Sequence, residues 1–215
     1  MDDVVLMSDP RVTGIPVAGD AAGMVDVTGS LPVDQRKADA TGAWRLLRAP
    51  VLDRLVDAAE RLPRDLRLVL VEGYRPTALQ TTYFEGYREW LRVEDPTLSD
   101  AELHRLASRY VSPPEVAPHT AGAAVDVTLR GVDDVELDVG CPVNASPEQS
   151  GGRCYTAHPD VVGEALLLRR TLAAALERAG LVNYPTEWWH WSYGDRYWAY
   201  ATGADRALYG PLAAG

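Results

Sequence analysis

The chain has 215 residues, 47% hydrophobic and 24% charged, with 31 acidic against 21 basic residues and a net charge of −10. Such a chain can bury one sizeable core, and the composition excludes disorder, collagen and coiled coil as descriptions of the whole. The acidic balance speaks against nucleic acid or an anionic membrane as partner, since both are gripped by clustered Lys and Arg, and here Lys37 is the only lysine.

The first ten residues have no basic start and no long apolar run, which reads as no signal peptide. No stretch approaches the ~18 apolar residues of a membrane span. The expected compartment is therefore the cytoplasm. The chain reads as a single domain, 1–215, with residues 1–45 as an extended arm packed on it. Residues 10–45 are rich in Gly, Pro and Asp and have room for one or two short strands. Residues 49–62 carry Val51, Leu52, Leu55, Val56 and Ala59 at helical spacing, and Pro63 ends that helix. Leu66 to Glu72 is a strand stopped by Gly73. A helix then runs from Pro76 to about Arg92, and its Tyr83, Tyr87 and Trp90 stripe reads as core or cleft roof.

Ser99 and Glu102 form a capping box that opens a helix reaching about Tyr110. On it, His104 reads as exposed. Pro113, Pro114 and Pro118 stiffen a loop before a strand from Ala123 to Leu129. Residues 130–157 form a long loop, with room for a hairpin, of a length that is usually functional. Its Cys141 and Cys154 lack CxxC spacing and read either as free thiols or as a disulfide closing the loop. His158 reads as a turn residue. Pro159 to Ala179 is a helix closed by Gly180, and 181–184 and 188–193 are strands. The fold class is α+β: helices packed on a small, mainly antiparallel sheet.

Only four histidines are present, His104, His119, His158 and His190, so imidazole chemistry draws on a short list. His119 leaves the Pro-stiffened loop, and Asp126 sits in the strand between Val125 and Val127. Alone, the two read more readily as a turn histidine and a hydrogen-bonded strand acid. Glu187-Trp-Trp-His190 sets a carboxylate and an imidazole among dense aromatics, where charges need partners. Alone, it reads equally as an aromatic core with a polar edge. Together, His119, Asp126 and His190 supply the N and O ligands that suit Zn²⁺, with a fourth position open. Glu187 is then a candidate general base. Arg75, at a strand end, reads alone as a surface arginine after a turn, and beside the other groups as a candidate donor to an oxyanion.

Gly73-Tyr-Arg-Pro76, His119 with Gly122-Ala-Ala-Val-Asp126, and Glu187-Trp-Trp-His190 stand in the order and approximate spacing of the VanX-like D-alanyl-D-alanine dipeptidases. The chain resembles this family of zinc D,D-peptidases over nearly its whole length. The resemblance implies the hedgehog/D,D-peptidase zinc fold, one Zn²⁺ per chain on His119, Asp126 and His190, Glu187 as base and acid, and Arg75 as stabiliser of the tetrahedral intermediate. It also implies a narrow site for a small dipeptide, with hydrolysis of D-Ala-D-Ala or a closely related D-amino-acid dipeptide.

Two positions depart from the family. Ala117 stands where a Ser helps to bind the substrate ammonium, and Asn144 where an Asp pairs with it. Glu148 and Asp138 are the nearby acids able to substitute. Tyr74 and Trp188, neighbours of Arg75 and Glu187, join Asn144 and Ala117 as candidates for substrate contact. The alternatives are a carboxypeptidase acting on longer or N-blocked peptides, and a non-catalytic zinc-bearing binding domain on the same scaffold. The sequence carries no signal of oligomeric state.

Overall fold

The structure is a computed structural model that describes residues 4–19 and 21–212. Positions 1–3, 20 and 213–215, which include parts of the expected arm, lie outside the described residues. The arm contributes a helical turn, α1 (Pro10–Thr13), capped by Asp9, and a short strand, β1 (Met24–Asp26). β1 pairs antiparallel with β2 (Leu46–Arg48). α2 (Ala49–Arg61) follows directly, with Pro50 in its first turn; it buries Val51 and Leu55 as the spacing predicts, and Ala58 besides, while Leu52, Val56 and Ala59 are half-buried.

β3 (Arg67–Glu72) and α3 (Thr77–Glu94) flank the Gly73–Pro76 turn. Gly73 is required there: a Cβ would stand 2.6 Å from the Leu46 carbonyl. The close approach lets the Gly73 and Tyr74 amides donate to the Trp44 and Leu46 carbonyls at 2.6 and 2.8 Å. α4 (Asp100–Ala107) carries the expected Ser99–Glu102 capping box. Phe84, Leu91, Leu103, Ala107 and Val111 form a small core between α3 and α4. His104 is half-buried there, 5.2 Å edge-to-face with Phe84, and not exposed, because the two helices close over its ring.

β4 (Ala124–Arg130) is the centre of the main core and is buried through Leu129. The expected hairpin is an Arg130–Glu136 bridge, and the long loop also contains α5 (Pro147–Ser150), which sequence reading missed. Arg169 ties that loop to α6 (Gly163–Arg178). It is buried on that helix and donates to the carbonyls of Val139, Arg153 and Tyr155 at 2.7–2.8 Å. α6 begins four residues later than expected, because His158 and Val161 close a turn first. In that turn His158 Nδ1 accepts the Asp160 amide.

β5 (Val182–Asn183) and β6 (His190–Ser192) complete an antiparallel sheet of order β3-β4-β6-β5, and α7 (Arg196–Thr202) follows, capped by Asp195. The sequence reading did not anticipate α7. The sheet and its covering helices give the α+β arrangement expected. Cys141 and Cys154 are free and buried. Burial pushes the Cys154 thiol up to about 11 and the Cys141 thiol up as well, so both are protonated at neutral pH.

Candidate active site

The site is assembled along one row of the sheet. Asp126 on β4 is paired in register with Glu72 on β3 and with His190 on β6. A register irregularity between Leu70 and Glu72 sets that alignment. Irregularities of this kind re-aim side chains beside active sites. His119 enters from a 3-10 turn, Pro118–Ala121, that ends at Gly122 with φ 65°, a left-handed value suited to glycine.

The ligand atoms of His119, Asp126 and His190 converge, and all three residues are buried. His119 Nε2 lies 3.2 Å from His190 Nδ1 and 3.3 Å from Asp126 Oδ1, and His190 Nδ1 lies 3.1 Å from the same oxygen. Four-coordinate Zn²⁺ with bonds of 2.0–2.1 Å has ligand–ligand edges of about 3.3 Å. The His119 Nδ1–H is committed to the Gly73 carbonyl at 2.6 Å, which fixes the tautomer and leaves Nε2 as a lone pair facing the other two ligands. His190 presents Nδ1 to the other two ligand atoms, while its Nε2 is buried with no hydrogen-bond partner among the described residues. The donor set, its spacing and its tautomers therefore fit zinc. Burial acts to raise the Asp126 carboxyl, but His119 and His190 outweigh it and hold the group well below the ordinary range. Burial likewise depresses His190, against the pull of Asp126. Both shifts favour the deprotonated forms that a metal needs.

Glu187 is buried, with Oε2 3.8 Å from His190 Nδ1. Residues 184–189 were expected to lead into a strand from Trp188, but they turn instead, and β6 begins only at His190. The Glu187 amide donates to Tyr184 and the His190 amide to Glu187, which folds Glu187 back beside the imidazole. Burial, reinforced by the nearby Asp126 charge, pushes its carboxyl well above the ordinary value. A carboxyl raised in this way has the proton affinity that a general acid or base requires.

Arg75 is held as a rigid plate. Its Nε and Nη2 donate to the two oxygens of Glu72 at 2.7 and 2.6 Å, and its Nη1 donates to Gln80 at 2.7 Å. Gln80 in turn donates to the Ser112 carbonyl. Three of its five N–H groups are spent on position, and two remain. Sequence reasoning found Arg75 but missed Glu72 and Gln80 as its supports, because a strand acid and a helix amide carry no motif.

These groups face a cleft of about 280 Å³. Arg75, His119, Asp126, Asn144, Glu187 and His190 line it, as do Tyr83, Tyr87 and Tyr110, so Tyr83 and Tyr87 of the α3 stripe supply roof, whereas Trp90 is exposed and lies outside the lining. Lys37, from the arm, also lines it. Its signal in the sequence was its uniqueness. Of the other candidates for substrate contact, only Asn144 is in the cleft lining. Ala117 is buried behind the turn it starts, and Tyr74 uses its backbone against β2. Trp188 is 1% exposed and donates its indole N–H to the Cys141 carbonyl, so it is core. Glu148 is spent on Tyr87 and Arg109, and Asp138 accepts the Gly140 amide, so neither lines the cleft.

The family model described as D-ala-D-ala dipeptidase matches residues 41–205. The chain belongs to that family. It is thus a metallopeptidase, as the motifs implied. Curated D-alanyl-D-alanine dipeptidases include one from Synechocystis sp., 29% identical over 180 residues and covering 72% of each chain, and one from Escherichia coli, 30% identical over 125 residues and covering 58% of this chain and 54% of that one. Among solved structures, a mutant of the vancomycin resistance D,D-pentapeptidase VanY in complex with Zn(II) aligns at TM-score 0.49 and 13% identity over 93% of both chains. VanYB in complex with D-alanine-D-alanine aligns at TM-score 0.44 and 15% identity over 83% of this chain and 88% of that one. The family assignment rests on the sequence match. No described helix of this family member is long and apolar enough to cross a membrane.

Proposed function

We propose that this family member hydrolyses the peptide bond of D-Ala-D-Ala, or of a closely related D-amino-acid dipeptide, with one Zn²⁺ held by His119, Asp126 and His190. The observation that carries the reading is the convergence of those three ligands with Glu187 and Arg75 in one cleft. Bound Zn²⁺ supplies Lewis acidity, polarising the peptide carbonyl and acidifying water toward ~7. Glu187 takes the proton of the attacking water. Its raised pKa lets it return that proton to the departing amine. The two free N–H groups of Arg75 receive the charge that develops on the carbonyl oxygen. The buried walls keep bulk water away from these charges, and the cleft's size suits a dipeptide. Glu187 and Arg75 together favour turnover over a merely zinc-bearing binding domain. The two unbonded thiols support a reducing cytoplasm as the working compartment, and the whole chain, arm included, is read as one catalytic unit.

Asn144 favours a second reading. Its Nδ2 is buried with no hydrogen-bond partner, and the only carboxylates lining the cleft among the described residues are Asp126 and Glu187. An unpaired donor with no spare acid suits an acyl carbonyl better than a free ammonium, as in an N-blocked or longer peptide.

The test is a kinetic panel of free and N-acylated D,D-, L,D- and L,L-dipeptides with zinc-loaded protein. Release of D-Ala should be fastest from free D-Ala-D-Ala. Glu187→Gln should keep its zinc and lose turnover by about 10²-fold or more. Faster cleavage of the N-acylated peptide would establish the second reading. No release from any member would end both.

A further inference from the structure

Lys37 lies in the arm, outside the residues matched by the family model, yet it lines the same cleft as Arg75 and Glu187. Its presence there is structurally enforced. Asp34 is buried and receives the Arg36 backbone amide, both ends of the Arg36 guanidinium and Arg130 Nη2, all at 2.7–2.9 Å. The Asp34 amide donates to Leu70 on β3, and the Asp34 carbonyl accepts the Trp44 indole. The turn carrying residue 37 is therefore stapled to the sheet edge.

The charges of the cleft are unevenly matched. Arg75 has its counter-charge in Glu72, whose two oxygens already accept Arg75 N–H groups at 2.6 and 2.7 Å. The Lys37 ammonium is ion-paired with the same carboxylate at 3.7 Å, beyond hydrogen-bond range, so the one Glu72 charge answers two cations. It lies 5.2 Å from the Tyr83 ring centre, and Arg75 lies 5.1 Å from the same centre. A lysine side chain over an aromatic ring, sharing its counter-charge with Arg75, with no hydrogen bond from its ammonium among the described residues and lining a cleft, is a receptor for an anion. The anion every peptide substrate brings is its C-terminal carboxylate. The residue beyond a scissile bond spans only about 3.8 Å, so a carboxylate anchor beside the oxyanion donor Arg75 selects the last bond of a chain.

We infer that Lys37 binds the C-terminal carboxylate of the substrate and makes the enzyme specific for peptides with a free C-terminus. This rests on the hydrolytic reading above and holds for a free or a blocked amine end. It makes the arm part of the binding machinery, through a residue that the family's matched segment does not contain.

The test compares D-Ala-D-Ala with its C-terminal amide on wild type, Lys37→Met and Lys37→Arg. Wild type should prefer the acid. Lys37→Met should raise KM for the acid by roughly 10- to 100-fold, leave kcat and the amide's kinetics nearly unchanged, and keep its zinc. Lys37→Arg should recover most of the preference. Calorimetric binding of the two ligands to Glu187→Gln, with and without Lys37→Met, reads the same preference without turnover, so failure of the hydrolytic reading leaves this one decidable. Equal losses on acid and amide, or a preference that survives in Lys37→Met, would overturn it.

Discussion

Arg75 shows how much of the site depends on groups that do no chemistry. Its guanidinium is buried, and the Glu72 carboxylate that neutralises it is buried too. Burial acts to raise the Glu72 carboxyl, and Arg75 outweighs it. Removing one partner of such a pair leaves an uncompensated charge, which is costlier than the pair is stabilising. Glu72→Ala should therefore lower the unfolding free energy by about 3–5 kcal/mol in a denaturant titration. Glu72→Gln, which keeps one acceptor for Arg75, should lose less. A Glu72→Gln variant as stable as wild type would show that lost packing, and not the orphaned charge, is responsible. Gly73 acts on the same group from the backbone: it brings β3 against β2, and its carbonyl fixes the His119 tautomer.

Among the elements, β3 is the strand whose placement matters most, because it is an edge of the four-stranded sheet and carries Glu72. Its open edge is covered by the arm through the Val33–Leu70 bridge and the hydrogen bonds of Pro32 and Asp34 to Leu70. Asp34 is the clasp. Its hydrogen bond from Arg36 holds its carboxyl down at about 2, against an ordinary value of 3.8. A depressed folded-state value contributes stability that is complete above the unfolded value and is lost as the pH falls through the folded one. Between about pH 4 and pH 2 the wild type should thus lose about 2 kcal/mol through Asp34. Asp34→Asn should be less stable at neutral pH and show a flatter profile in that window. Urea midpoints at half-unit pH intervals read both. An unchanged acid profile in the variant would remove Asp34 as the clasp.

Across the whole molecule, the three proposed metal ligands tie a turn at residue 119 to the central strand and to β6 near residue 190. A metal that binds only this folded arrangement stabilises all of it by mass action, by ~2.7 kcal/mol at one hundred times its dissociation constant. For a chain of this size that corresponds to about 5–10 °C in Tm. Chelation should lower Tm by that order, and zinc should restore it. His119→Ala should bind no zinc and be indifferent to the chelator. A chelator-sensitive Tm in that variant would break the ligand assignment.

The residues proposed as ligands, base and oxyanion donor stood out in the sequence because their residue types are scarce and their chemistry is local. Four histidines, a carboxylate within an aromatic run and an arginine after a strand-ending glycine leave few alternatives. The long helices and β3 and β4 were legible because apolar period and breakers set them directly. Short α5 and α7 were not, since each rests on caps and tertiary contacts rather than on a periodic face. The turn that folds Glu187 beside His190 was likewise hidden, because alternating aromatics read as strand. What tertiary structure alone decided is the company each residue keeps. The register of three strands made Glu72, Asp126 and His190 one row, and helix packing drew Gln80 to Arg75. An edge-covering arm brought Lys37 into a cleft whose other walls lie 38 or more residues further along the chain. Such meetings depend on burial and pairing over long separations, and a linear sequence specifies them only once it has folded.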